Sequence, residues 1–196
     1  MTVTLSAEIA VAAARLIVEE GMEYGPAKRR AARDFRTTRT ASLPSNDVVE
    51  DEVRAYLELF HADSQPVELS ALRTLAAAWM ERLAAFRPYL AGAVWRGTAT
   101  RLNTIHIDLY CDDSKEAELA LIDLRVDYEV SSIDWPAGRS FDVLNMFVPD
   151  RALGGNAHLA FTVLDYDDLR GALRNDARGR SQRGDLAALR ALQTRP

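Results

Sequence analysis

The chain has 196 residues, of which 48% are hydrophobic and 27% charged, a composition typical of a globular protein that needs no disulfide or metal to hold its core. The formal net charge is −5, which excludes a general electrostatic attraction to nucleic acid. There is a single cysteine, and no apolar run reaches the roughly 18 residues of a membrane helix. We therefore expect a cytoplasmic protein that does not contact a membrane.

Residues 1–64 are predicted to form an N-terminal helical region, because apolar residues recur there at spacings of three and four. Three helices are expected: one capped by Ser6 and ended by Gly21, one from Gly25-Pro26 to Phe35, and one capped by Ser45 or Asn46. Val49, Val53, Tyr56, Leu57 and Phe60 are expected to face inward from the third helix. The stretch between the second and third helices, Thr37 to Pro44, is predicted to be a loop.

Residues 65–196 are predicted to form a second domain that contains both helices and strands. A long amphipathic helix over 66–86 is followed by alternating, partly β-branched segments typical of strands. Strands are predicted over 104–111, 128–133, 141–148 and 158–164, and helices over 114–124 and 186–192. The order, helices first and then β-α-β-β-β, indicates the α+β fold class.

The segment from Leu90 to Asp112 carries a pattern of glycines, a turn and a strand. It contains the pair Gly92-Ala93, the turn Arg96-Gly97-Thr98-Ala99, and Asn103-Thr104-Ile105-His106 at the start of an apolar strand. This segment resembles the active-site segment of nucleotidyltransferases of the DNA-polymerase-β type, which have a Gly-Ser pair, an Arg-Gly-Thr-Ala type turn and a Ser-Asp-x-Asp strand. The resemblance covers residues 66–165 and implies a mixed β-sheet flanked by helices.

The resemblance also implies a set of functional residues. In that family, two carboxylates at alternate strand positions and a third from a neighbouring strand hold two magnesium ions, so Mg²⁺ would be the cofactor if the protein is active. Here Thr104 and His106 stand at the aspartate positions, Asp108 follows on the same face, and Asp142 is the candidate for the third carboxylate. His106, Asp108 and Asp142 are thus the candidates for catalysis, with Asp108 the candidate metal ligand.

The resemblance also implies a second group of residues, which would bind the phosphates of a nucleoside triphosphate. Backbone amides at a glycine-containing helix start and nearby hydroxyl and guanidinium groups favour anions. The candidates are Gly92, Arg96, Gly97, Thr98 and Thr104.

Because most of the family's carboxylates are replaced, metal-dependent nucleotidyl transfer is not the expected activity. One hypothesis is a nucleotidyltransferase-like protein that binds a nucleotide. The alternative is a non-catalytic binding or regulatory module for a partner protein or RNA, through basic residues at 28–39 and 174–190. A third hypothesis is an enzyme that uses His106 and Asp108 for a different reaction.

Overall fold

The computed structural model describes residues 4–35, 43–135 and 138–194. The chain divides by compactness into two units, one of residues 1–67 with 98–103 and one of residues 68–97 with 104–196. The predicted division at residues 64 and 65 stays a prediction about domains, because compactness does not show that either unit folds independently.

The first unit is built from three helices, α1 (Leu5–Glu20), α2 (Tyr24–Asp34) and α3 (Asn46–Phe60). Their small and branched apolar side chains form one buried cluster, which includes Ile9, Ala13, Ile17, Ala27, Ala31, Val49 and Val53. Among the described residues, the fully buried members of this cluster are aliphatic, and the partly buried Tyr24 and Tyr56 pack against it.

The helix ends of this unit follow the sequence signals in part. Ser45 caps α3 by accepting a hydrogen bond from the Val48 amide at 3.3 Å, and Gly21 ends α1 in the left-handed conformation, as predicted. Thr4, rather than the predicted Ser6, caps α1. Phe60 was predicted to face inward but is 61% exposed, since it lies at the last residue of α3. Most of the predicted loop at 37–44 lies outside the described residues.

The second unit contains a six-stranded mixed sheet and its helices. The elements in chain order are α4 (Gln65–Arg82), β1 (Tyr89–Ala91), α5 (Gly92–Arg96), β2 (Ile105–Tyr110), α6 (Ser114–Asp123), β3 (Glu129–Trp135), β4 (Arg139–Asp150), β5 (Gly155–Leu164), α7 (Leu169–Ala172), β6 (Arg183–Gly184) and α8 (Leu186–Gln193). The first three residues of α4 belong to the first unit. The predicted α+β class is confirmed.

The strand order in the sheet is β3-β4-β5-β2-β1-β6. Strands β2 and β5 are parallel, and all other neighbouring pairs are antiparallel. The short strands β1 and β6 and the short helices α5 and α7 were not predicted, because segments of two to five residues carry too little periodicity to be recognised.

The two faces of the sheet differ in character. On one face Ile105, Ile107 and Leu109 are fully buried, and Phe161 of β5 packs against Trp79 of α4 with the ring centroids 6.0 Å apart. The opposite face carries His106 and Asp108 of β2, which alternate with those apolar residues. We call this second face the open face. The strand register places Thr162 of β5 and Val143 and Asn145 of β4 on the same face.

Among the described residues, no helix has the length and apolar character needed to cross a membrane.

Candidate functional site on the open face

Gly92 and His106 lie side by side at the junction of β1, α5 and β2. Ala91 pairs with His106 in the antiparallel ladder, so the chain enters α5 directly beside the His106 ring. Gly92 has a φ of 69°, and a methyl group there would lie 3.1 Å from Cδ2 of His106. Both the left-handed backbone and the close approach favour glycine at this position.

Asp108 lies two residues beyond His106 and is held by an arginine from the end of the chain. Nη1 of Arg183 donates to the Asp108 carboxylate and, at 2.8 Å, to the hydroxyl oxygen of Tyr110. Burial raises the pKa of the Asp108 carboxyl, and the Arg183 guanidinium opposes that rise. The site therefore contains a buried carboxylate whose charge is compensated by a guanidinium.

A chain of polar contacts crosses the open face beside this pair. Oγ1 of Thr104 lies 2.9 Å from Nδ1 of His158, and Nε2 of the same ring lies 3.1 Å from Oδ1 of Asn145. Nδ2 of Asn145 donates to the hydroxyl of Ser131 at 2.9 Å. The imidazole also stacks on Phe147, with the ring centroids 4.7 Å apart. Thr104 is thus engaged in a network that spans strands β3, β4 and β5.

Asp142 does not join the other two residues predicted for catalysis. Val143, its neighbour in β4, pairs with Thr162, and Thr162 pairs with Asp108. Since successive side chains of a strand alternate in direction, Asp142 projects from the face opposite Asp108. Glu118 is the main cause of a raised pKa at Lys115 of α6, and the charge of Asp142 acts in the same direction, which agrees with that placement.

The predicted phosphate-binding turn is divided between the two units. Arg96 and Gly97 end α5 in the second unit, whereas Thr98 belongs to the first unit and is buried. The carbonyl oxygens of Val94 and Trp95 accept hydrogen bonds from Arg73 of α4, at 3.1 and 3.2 Å. Of the five predicted phosphate-binding residues, the structure brings Gly92 and Thr104 to the strand that carries His106.

The C-terminal segment is anchored over this site by Trp95. The indole Nε1 donates to the carbonyl oxygen of Ser181 at 2.9 Å, and the ring lies so close to Gly184 that an added methyl group would be 2.1 Å from it. Strand β6, which consists of Arg183 and Gly184, also pairs with β1. The contacts with Trp95 and the strand pairing together position the Arg183 side chain beside Asp108.

These positions do not fit the two-magnesium arrangement of the resembled family. Magnesium needs several oxygen ligands in octahedral geometry. Asp108 faces a guanidinium, Thr104 faces His158, and Asp142 lies on the other face of the sheet. Within the described ranges, no three His, Cys, Asp or Glu side chains are arranged to hold a metal ion.

Several residues of the site could not be recognised individually from the sequence. Arg183 belongs to the predicted C-terminal basic stretch, but nothing local distinguishes it from Arg178 and Arg180. The backbone amides of Arg178 and Arg180 both donate to Asp176, and the Arg180 side chain does so as well. His158 and Asn145 each lie within a predicted strand, and only the register between β4 and β5 shows that they meet.

Comparison of the chain with protein-family models, with curated proteins and with solved structures gives no match, so no relative identifies its family.

Proposed function

We propose that the protein is a nucleotidyltransferase-like scaffold whose open face binds a nucleotide without metal-dependent nucleotidyl transfer. The observation that carries the proposal is the contact between Arg183 and Asp108. In the resembled family a carboxylate on this strand helps to hold cations that neutralise phosphate charge, whereas here a guanidinium compensates the carboxylate. A carboxylate that is paired with a guanidinium does not repel an anion and is not available to hold the metal ions of a two-metal reaction.

The backbone next to His106 supports a nucleotide as the ligand. Gly92 starts α5 beside the imidazole, and this is the position of the glycine in the resembled motif. The imidazole is half-buried, so it has both an anchored position and access to a ligand. In this proposal His106 orients the ligand by hydrogen bonding, and Arg183 removes the repulsion that the Asp108 carboxylate would otherwise exert on its phosphates.

The test is calorimetric titration with ATP, CTP, GTP and UTP, each with and without magnesium or manganese. We expect at least one nucleotide to bind in the absence of metal, and we expect His106→Ala to weaken that binding by about tenfold, the effect of losing one well-placed hydrogen bond. His61→Ala, in the first unit, is the matched control. Absence of binding under every condition would refute the nucleotide as ligand. Metal-dependent transfer of a labelled nucleotide to protein or RNA would instead contradict the absence of transferase activity.

A further inference from the structure

A cavity of about 430 Å³ opens beside the Arg183–Asp108 pair in the second unit. Its apolar wall is formed by Ile133 of β3, Phe141 of β4 and Leu164 of β5. Residues of α7 and of the segment that follows it form the other side. The volume lies within the range of pockets that hold small organic ligands, and the combination of an apolar wall with a few polar groups is typical of such sites.

Three arginines and two aspartates line this cavity. Arg139 forms a bidentate pair with Asp168 at 2.8 and 2.7 Å, and Arg183 pairs with Asp108. Arg174 makes no ion pair with any residue that the structure describes. With two of the three cations compensated, the lining carries one surplus positive charge, which favours an anion in the cavity.

Arg183 adds an unsatisfied donor to this lining. Its Nη1 binds Asp108 and Tyr110, but its Nε is buried and has no hydrogen-bond partner among the described residues. Buried polar groups almost always have a partner from protein, water or ligand. The lining thus combines an unsatisfied donor of Arg183 with the surplus positive charge of Arg174.

We propose that this cavity binds a small aromatic oxyanion. The oxyanion accepts hydrogen bonds from Arg183 and pairs with Arg174, and the ring rests on the apolar wall beside Phe141. The guanidinium of Arg139 lies 4.8 Å from the centre of the Phe141 ring, so this wall already holds one flat group against an aromatic side chain. The site shares the open face and Arg183 with the proposed nucleotide site, but it does not require a nucleotide or a metal.

The test uses phenyl phosphate as the probe, titrated into the full chain by calorimetry without metal. We expect saturable binding that weakens as salt increases, because the contact with Arg174 is exposed to screening. Arg174→Gln should weaken binding by about tenfold, whereas Arg151→Gln, an exposed arginine of the same unit at the turn between β4 and β5, should leave it unchanged. Phenol and inorganic phosphate should each bind more weakly than phenyl phosphate, since each offers only half of the recognised chemistry.

The inference would be overturned by absence of phenyl phosphate binding, or by equal effects of Arg174→Gln and Arg151→Gln on that binding. Inorganic phosphate binding as tightly as phenyl phosphate would also overturn it, because the apolar wall would then contribute nothing. The nucleotide titrations separate the two proposals. Phenyl phosphate binding without nucleotide binding refutes the proposed function alone, and nucleotide binding that is insensitive to Arg174→Gln, with no phenyl phosphate binding, refutes this inference alone.

Discussion

Arg183 of β6 covers the carboxylate of Asp108 on β2, although 75 residues separate them in the chain. The contact is possible because β6 pairs with β1 and β1 with β2, so the three strands lie in succession at one end of the sheet. The same guanidinium reaches the hydroxyl of Tyr110, which faces the same side two residues further along β2. This arrangement places a compensated charge pair on the face of β2 that also carries His106.

Replacing Arg183 with methionine should destabilise the protein by about 3 kcal/mol, because it leaves the Asp108 carboxylate buried and unpaired. The double variant Asp108→Asn with Arg183→Met should recover most of this loss. Urea unfolding of the wild type, the two single variants and the double variant measures the coupling. Additive effects of the two substitutions would show that the pair does not interact energetically.

The cost of Arg183→Met should also depend on pH. Burial already raises the pKa of Asp108, and removal of the arginine raises that pKa further. A raised folded-state pKa means that the folded protein takes up a proton more readily than the unfolded chain, so stability falls as pH rises through that pKa. The destabilisation should therefore be smaller at pH 5 than at pH 7. The control is Asp108→Asn with Arg183→Met, in which this difference between the two pH values should disappear.

Gly184→Ala should destabilise the second unit by about 2 kcal/mol, since its methyl group would overlap the Trp95 ring. The clash should displace β6 and break the hydrogen bond from Trp95 to Ser181. Urea unfolding gives the stability, and a shift in tryptophan emission reports exposure of the indole. Gly155→Ala, where an added methyl group would meet no atom within 4 Å, is the control. Equal effects of the two substitutions would show that Trp95 does not pack against β6.

Gly92→Ala and Gly154→Ala form a matched pair, because both glycines have a left-handed backbone, with φ of 69° and 68°. Gly154→Ala should cost about 1 kcal/mol for the backbone alone, since an added methyl group there meets no atom within 4 Å. Gly92→Ala should cost about 2 kcal/mol, because its methyl group also presses on His106. Combining Gly92→Ala with His106→Ala should bring the added cost of the glycine substitution down to that of Gly154→Ala. An unchanged cost would mean that the imidazole does not limit this position.

The Tyr110 hydroxyl should have a pKa well above the usual value for tyrosine. Burial, together with the nearby charge of Asp108, raises the pKa of Tyr110 to about 12. Because the unfolded chain loses this proton near pH 10 and the folded protein keeps it until about pH 12, stability should fall as pH rises across that interval. Absorbance titration at about 295 nm, where tyrosinate absorbs, should lose its highest step in Tyr110→Phe but keep it in Tyr128→Phe. Ionisation of Tyr110 near pH 10 in the folded protein would contradict the buried position.

The sequence alone determined the α+β class and most element positions, because helix caps and strand alternation are local signals. Ser45 before α3 and the alternation through β2 are examples, and the alternation also placed His106 and Asp108 on one face.

Tertiary structure decided which other side chains meet Asp108. Strand register moves a side chain to the opposite face with a shift of one residue, so no local signal could show that Val143, rather than Asp142, shares the face of Asp108. The partner of Asp108 is Arg183. Only the pairing of β6 with β1 and the fit of Gly184 against Trp95 distinguish Arg183 from the similar arginines near it in the chain. Contacts between residues so far apart depend on the packed sheet as a whole, and the sequence pattern near either residue does not contain them.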